Sequence, residues 1–155
     1  MRAPHSYERG ALSASPPGGF DAPGRRPDNR RVLSDPFPEV LLLERRIEAA
    51  ELRRLVLRFE DMVKYVADVE RGLVAIGGEM HADAEQVLLE AGSRQADLWG
   101  ANYYPGRGRD GCIEYTSLIN IRPAAGNRGM ELVDPGLRTR IRDITFALLG
   151  EGEAL

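Results

Sequence analysis

The stretch VKYVADVERGLVAIGG, residues 63–78, decides the fold. In residues 62–69 the apolar side chains of Val63, Tyr65 and Ala67 occupy alternate positions, with Lys64 and Asp68 among the residues between them, as in a strand that is buried on one face. Glu70-Arg71-Gly72 then forms a turn, with Gly72 in the left-handed position of a three-residue loop, and residues 73–76 form the second strand. A hairpin joins antiparallel neighbours, so the sheet built around it should be mainly antiparallel.

Three helices are predicted around this hairpin. Residues 47–60 place apolar side chains at helical spacing, opposite a charged face. A second helix begins after Asp83, which we interpret as its N-cap because Gln86 follows at the spacing of a capping box. The last helix begins after Asp134, a favourable N-cap residue, with Pro135 in the first helical position. Helices that alternate with hairpin-linked strands are typical of an α+β fold.

Further strands are predicted on both sides of the hairpin, at residues 40–43, 97–104, 112–122 and 130–133. Two glycine-containing loops, at residues 105–111 and 123–129, separate the last three of them. We therefore expect residues 39–155 to form one small α+β domain with a mainly antiparallel sheet and about three helices.

The first 38 residues have a different composition from the rest of the chain. They hold seven of the ten prolines, six arginines and four acids, a net charge of +2, which leaves −5 for the remainder of a chain with net charge −3. So few apolar residues cannot offset the backbone entropy that is lost on ordering. Residues 1–38 are predicted to be a disordered tail, either without a separate role or in weak contact with a polyanion.

Composition also excludes several classes of protein. Apolar runs such as residues 40–43 are far shorter than the roughly 20 residues that a membrane-spanning helix needs. The acidic charge of residues 39–155 makes nucleic-acid binding unlikely for the domain, since phosphate contacts usually leave a basic surface. Cys112 is the one cysteine, so no intrachain disulfide can form. No secretory signal is evident in the sequence. These two observations favour the cytoplasm as the location.

The predicted strand at residues 112–122 carries a candidate ligand site. Asn120 and Arg122 would share one face of that strand, about 7 Å apart, where they suit a planar or anionic group. The following turn adds Asn127 and Arg128, which could bind an anion together with free backbone N–H groups. An exposed polar sheet face is the alternative explanation for this strand.

A second cluster lies where the hairpin meets the next helix. His81 and Glu85 are four residues apart, a spacing that allows a general acid–base pair or, with Asp83, a metal site. His81 is the candidate because the other histidine, His5, lies in the predicted tail. Asp83 has a structural role as a cap and is also a candidate ligand-binding residue at the helix start. A structural role is preferred to metal binding for this cluster, and no residue is assigned as a metal ligand.

A third cluster, at residues 92–105, contains the single tryptophan of the chain. Trp99 could stack on a planar ligand, or close a small core instead. Gly100, within a predicted strand, indicates close approach by a ligand or a neighbouring backbone. Polar side chains for ligand binding are available nearby from Ser93, Gln95 and Asn102.

Three stretches of these clusters resemble a family of small prokaryotic proteins known as a domain of unknown function. They are GEMHADAE (78–85), GSRQADLWGAN (92–102) and SLINIRP with GNR (117–123 and 126–128). The resemblance covers roughly residues 40–149 and leaves out the tail. It implies a single prokaryotic domain and implies no activity, cofactor or catalytic residue.

Three hypotheses about function follow. The preferred one is a binding module for a small anionic or planar ligand such as a nucleotide. The first alternative is a small hydrolase or toxin-like ribonuclease that uses His81 and Glu85 with nearby arginines. The second is a regulatory domain that binds another protein. The sequence assigns neither a cofactor nor an oligomeric state.

Overall fold

Strands β2 (Val63–Asp68) and β3 (Leu73–Gly77) form the hairpin predicted from residues 63–78, in a computed structural model that describes residues 39–155. Gly72 has a φ of 68° in the loop between them, the left-handed conformation that its position requires. Residues 1–38, for which we predict a disordered tail, lie outside the described residues.

The sheet has five strands in the order β1-β3-β2-β4-β5, and every neighbouring pair is antiparallel. The remaining strands are β1 (Val40–Leu43), β4 (Leu98–Tyr103) and β5 (Ile113–Glu114). The helices are α1 (Ala49–Arg58), α2 (His81–Glu90), the one-turn α3 (Gly108–Gly111) and α4 (Pro135–Leu148). The α+β fold with a mainly antiparallel sheet is thus confirmed.

The helices cover the sheet from both sides because its strands are apolar on both faces. On one face, Ala84 and Leu88 of α2 pack against Val66, Ala75 and Leu98. On the other face, α1 and α4 share a larger core with the opposite side chains of the same strands, including Leu52, Leu55, Tyr65, Val74, Trp99 and Ile141. Of the candidate site residues, His81 and Glu85 belong to α2, whereas Trp99 belongs to the larger core on the opposite face.

Two helix starts were predicted, and one of them is wrong in detail. Asp134 caps α4 as expected, since its carboxylate accepts hydrogen bonds from the backbone N–H groups of Gly136 and Leu137. In contrast, α2 begins at His81, so Asp83 is its third residue and not its N-cap. The Asp83 carboxylate still serves the helix start, because it accepts a hydrogen bond of 3.0 Å from the backbone N–H of Met80.

The long strand predicted at residues 112–122 is also wrong. Of residues 112–122, only the two residues of β5 pair with β4, and the chain then turns through a 3-10 turn at Leu118–Asn120. Ser117 initiates that turn by accepting a hydrogen bond from the backbone N–H of Ile119. Serine and asparagine side chains compete with ladder hydrogen bonds in this way. The predicted strand at 130–133 is reduced to a single bridge between Thr116 and Glu131.

Candidate functional site

The side chain of Asn120 forms hydrogen bonds with the backbone of β4 that a residue of a neighbouring strand would otherwise form. Its side-chain carbonyl accepts a hydrogen bond of 2.8 Å from the backbone N–H of Gly100, and its amide group donates one of 2.9 Å to the Gly100 carbonyl. The same amide group also donates to the carbonyl of Met130. Asn120 is completely buried, so its side chain holds the turn against the sheet edge and is not directed at a ligand.

Asn127 has a similar structural role in the next turn. Its amide group donates to the carbonyls of Asn120, Gly129 and Glu131, and its side-chain carbonyl accepts from the N–H of Val133. Residues 117–133 are therefore connected through buried asparagine side chains where a regular sheet would use backbone ladders.

The side chain of Arg122 forms hydrogen bonds with backbone carbonyls at and near the start of β4. Its guanidinium group donates to the carbonyls of Gln95, Leu98 and Ile119 at 2.8, 2.5 and 3.2 Å. The group also lies 4.5 Å from the centre of the Trp99 ring, within the range of a cation–π contact. Burial lowers the pKa of Arg122, and Glu85 beside it opposes that shift. Three of its five N–H groups are thus engaged by backbone carbonyls.

A cavity of about 440 Å³ opens next to Arg122. Its polar lining comes from Glu85, Gln95 and Arg122, and its apolar lining from Ala96, Leu118, Ile119 and Ile121. Leu118 is 61% exposed although it is large and apolar. The volume of this cavity lies within the range of small-molecule sites, although the cavity opens widely to the surface.

Glu85 is the unusual residue of this cavity. Its side chain is only 14% exposed, and its Oε2 atom lies 3.6 Å from Arg122 Nη2, close enough for an ion pair but too far for a good hydrogen bond. Among residues 39–155, no group donates a hydrogen bond to the buried Oε2 atom. A buried carboxylate oxygen without a hydrogen-bond donor is costly, and the nearby charge of Arg122 offsets part of that cost.

A second polar cluster lies on the α2 face further along β4. Lys64, Asn102 and Glu114 occupy directly opposite positions on β2, β4 and β5, which places the three side chains in one row across the sheet. Asn102 donates a hydrogen bond of 3.0 Å to Glu114 Oε1, and Tyr104 donates one of 3.3 Å to Oε2. The Asn102 Oδ1 atom is buried and accepts no hydrogen bond among the described residues.

His81 packs against this row from the first turn of α2. Its Nε2 atom lies 2.9 Å from the carbonyl of Ala101, which can only accept, so Nε2 carries the hydrogen and Nδ1 holds the lone pair of the neutral ring. Burial lowers the pKa of His81, while the contacts with Ala101 and Asn102 and the charge of Glu114 oppose the shift, and Lys64 adds to it.

The proposed pairing of His81 with Glu85 is not formed. Within residues 39–155, His81 makes no hydrogen bond or ion pair with Glu85, Asp83, Arg122 or Arg128, and Glu85 faces Arg122 instead. The same part of the chain contains no group of three or more His, Cys, Asp and Glu side chains that could hold a metal ion. The geometry therefore gives no support to a hydrolase built on this pair.

The remaining predicted residues are divided among several places. Ser93 is buried and donates a hydrogen bond of 2.6 Å to Asp68, in a network that stabilises the hairpin end. Trp99 and Asn127 line a second cavity, of about 430 Å³. Arg128 is exposed. Among the predicted ligand-binding residues, Gln95 and Arg122 line the cavity of about 440 Å³, which we call the Glu85 cavity. Glu85, which was predicted as a catalytic residue, lines the same cavity.

Sequence reasoning missed Lys64, Tyr104 and Glu114 of the second polar cluster. One signal was available for Lys64, since it is the single lysine in a chain with 20 arginines. A compact ammonium group and a planar guanidinium group are not interchangeable, so that position is distinctive. Glu114 and Tyr104 could be found only from the register of β4 and β5.

Comparison with known proteins gives a family and no function. Neither the curated proteins nor the solved structures provide a match. No helix within residues 39–155 is long and apolar enough to cross a membrane. One family model, described as a protein of unknown function (DUF5674), matches residues 41–148, which is most of the chain and nearly all of its described part. The chain therefore belongs to this family of unknown function.

Proposed function

We propose that the domain is a binding module for a small planar ligand, which enters the Glu85 cavity. The observation that carries the proposal is the cavity of about 440 Å³, in which the apolar side chains of Leu118, Ile119 and Ile121 lie beside the charged Glu85 and Arg122. A ring that packs on the apolar side chains could donate an N–H group to the exposed part of the Glu85 carboxylate, whose side chain is 14% exposed. The cytoplasm, predicted from the sequence, is the proposed location.

The charges in the cavity favour a planar ligand over an anionic one. Arg122 is already paired with Glu85 and donates to three carbonyls, so little of its charge is left for an anion. A phosphate or carboxylate placed there would also face the Glu85 carboxylate at close range. The apolar side chains of Leu118, Ile119 and Ile121 suit the faces of a ring.

Isothermal titration calorimetry with full-length protein tests the proposal. The panel consists of purine and pyrimidine nucleosides as planar ligands, with inorganic phosphate as the anion. We expect binding of at least one nucleoside and none of phosphate. Binding of phosphate without any nucleoside would contradict the proposal.

Two matched variants identify the cavity. Leu118→Ser removes an apolar side chain from the Glu85 cavity, and Val133→Ser removes an apolar side chain from the second cavity. The two side chains are about equally exposed, 61% for Leu118 and 63% for Val133. We expect Leu118→Ser to weaken binding about tenfold through lost apolar contact, and Val133→Ser to leave it unchanged. The reverse result would place the ligand in the second cavity and overturn the proposal.

A further inference from the structure

We infer that the outer edge of β1, the side away from β3, pairs with the same edge of a second copy of this chain. β1 lies at one end of the sheet and, within residues 39–155, pairs with β3 alone. Its sequence, VLLL, is entirely apolar and contains neither a charged side chain nor a proline, two features that prevent pairing at many edge strands. Such an edge can accept a further strand through its backbone groups.

The register shows which backbone groups face the outer edge. The N–H of Gly78 donates a hydrogen bond to the carbonyl of Glu39, so the backbone groups of Glu39 face β3. Because this direction alternates along an antiparallel strand, those of Val40 and Leu42 face outward. Outside the sheet ladder, no group of residues 39–155 forms a hydrogen bond with the backbone of Val40 or Leu42. These two residues therefore offer donors and acceptors to another strand.

Two copies of β1 are complementary when they pair antiparallel about Leu42. Leu42 then lies opposite Leu42 of the second copy, and each donates one backbone hydrogen bond to the other. The same register places Glu39 across from Arg45 of the second copy, so opposite charges meet at both ends of the pair. Arg54 already lies 2.6 Å from the Glu39 carboxylate, and Arg45 would join this ion pair. A pairing centred on Leu41 loses the match, so charge complementarity selects a two-fold pairing about Leu42.

The side chain of Leu42 adds an apolar contact to this pairing. It is 37% exposed, whereas the side chain of Leu43 is only 8% exposed. Val40, on the same face of the strand, packs against the core under α2, and Leu42 is not part of that core. Opposite residues of a hydrogen-bonded pair have Cα atoms about 5.5 Å apart, so the two Leu42 side chains would cover each other.

Sedimentation velocity of the full-length protein from about 1 μM to 1 mM tests the pairing. We expect a reversible equilibrium between monomer and dimer. Leu42→Lys places two like charges opposite each other and should raise the dissociation constant at least about tenfold. Met130→Lys is the matched control, since Met130 is 42% exposed and its carbonyl is hydrogen-bonded to Ser117 and Asn120, beside β4. This control should dimerise like the wild type. Thermal unfolding checks that the variants fold.

Charge reversal tests the register. Arg45→Glu sets two acidic side chains opposite each other and should weaken the dimer, whereas Arg128→Glu, at another exposed arginine, should not. Hydrogen exchange of the Leu42 amide should slow as the protein concentration rises, because its N–H becomes bonded only in the dimer. A dimer that Arg45→Glu leaves unchanged would overturn the pairing about Leu42.

Three further results would overturn the inference. One is a monomer over the whole concentration range, and another is a dimer that Leu42→Lys does not weaken. The third is a monomer whose Leu42 amide is protected equally at all concentrations, since another part of the same chain would then cover the edge. None of these measurements involves a ligand of the Glu85 cavity, so the outcome is independent of the proposed function.

Discussion

Asn120 and Gly100 exchange two hydrogen bonds, one in each direction, so that a single side-chain amide pairs with the backbone as a strand residue would. The amide plane of an asparagine side chain has the donor and acceptor of a peptide group, which makes the substitution possible. Because β5 has only two residues, Gly100 of β4 has no partner in that strand, and the Asn120 side chain supplies its hydrogen bonds instead.

Asn120→Asp tests the importance of this pair. Aspartate keeps the acceptor for the Gly100 N–H but places an oxygen against the Gly100 carbonyl, in a completely buried position. We expect a loss of about 3 kcal/mol in the free energy of unfolding, measured by urea denaturation. Hydrogen exchange of the Gly100 amide should also become faster. An unchanged free energy of unfolding would show that the pair contributes little.

Gly100→Ala tests the close approach that the glycine was predicted to allow. A Cβ atom at this position would lie 2.6 Å from both Cβ and Oγ of Ser117 and 3.1 Å from Cδ2 of His81, so the neighbours would have to move. Overpacking of this kind costs about 1–3 kcal/mol, to be measured by thermal and urea unfolding.

Gly129→Ala is the control for that substitution. Nothing lies within 4 Å of a Cβ atom built at Gly129, so this variant should unfold like the wild type. Equal stability of the two alanine variants would contradict the tight packing at Gly100.

Arg122→Lys should destabilise the domain, although the positive charge is retained. Lysine cannot reproduce a planar group that donates to the carbonyls of Gln95, Leu98 and Ile119 at once. We expect a loss of about 2 kcal/mol in the free energy of unfolding. Trp99 fluorescence should report the change, since Arg122 lies over that ring and Trp99 is the single tryptophan.

Arg128→Lys serves as its matched control because Arg128 is exposed and lies in the same part of the chain. Its stability should equal that of the wild type. A similar loss in both variants would assign the effect to arginine content in general and not to the contacts of Arg122.

Stability should also depend on pH through His81. Burial holds the pKa of His81 in the folded protein below its usual value near 6.5. Between those two pKa values the unfolded chain binds more protons than the folded one, so the free energy of unfolding decreases as the pH falls from about 6.5. The decrease should stop once the pH is below the folded pKa. Urea unfolding across this range measures it.

His81→Gln should reduce the pH dependence between pH 7.5 and 5. His5→Gln is the matched control, since His5 is the other histidine and lies in the segment predicted to be a tail. If the wild type and His81→Gln lose stability equally over this range, His81 is not the titrating group.

The periodic elements of the fold could be predicted from the sequence. The hairpin at 63–78 and the helix after Asp134 depend on local signals, namely alternation, a left-handed glycine and a capping side chain, and each is present in the structure. The start of α2 was misplaced because an aspartate at the third helical position and one at the N-cap both accept from backbone N–H groups near the helix start.

The candidate site could be predicted only in part, because its residues come from separate segments. Asn120 and Arg122 were expected to face a ligand from one strand, yet their partners are backbone groups of β4, some 20 residues away in sequence. Side-chain hydrogen bonds to a distant backbone leave no periodic pattern. Glu85 was singled out for a pairing with His81, whereas its neighbour is Arg122.

The asparagine and arginine contacts of residues 117–133 have a consequence for recognition. A wall without regular secondary structure is usually mobile, and a ligand must then restrict its motion on binding. Here Ile121 lies between Asn120 and Arg122, whose side chains are hydrogen-bonded to β4, and Leu118 and Ile119 directly precede Asn120. If the proposed ligand binds in this cavity, it meets a wall whose shape these contacts already determine, so little conformational entropy would be lost on binding.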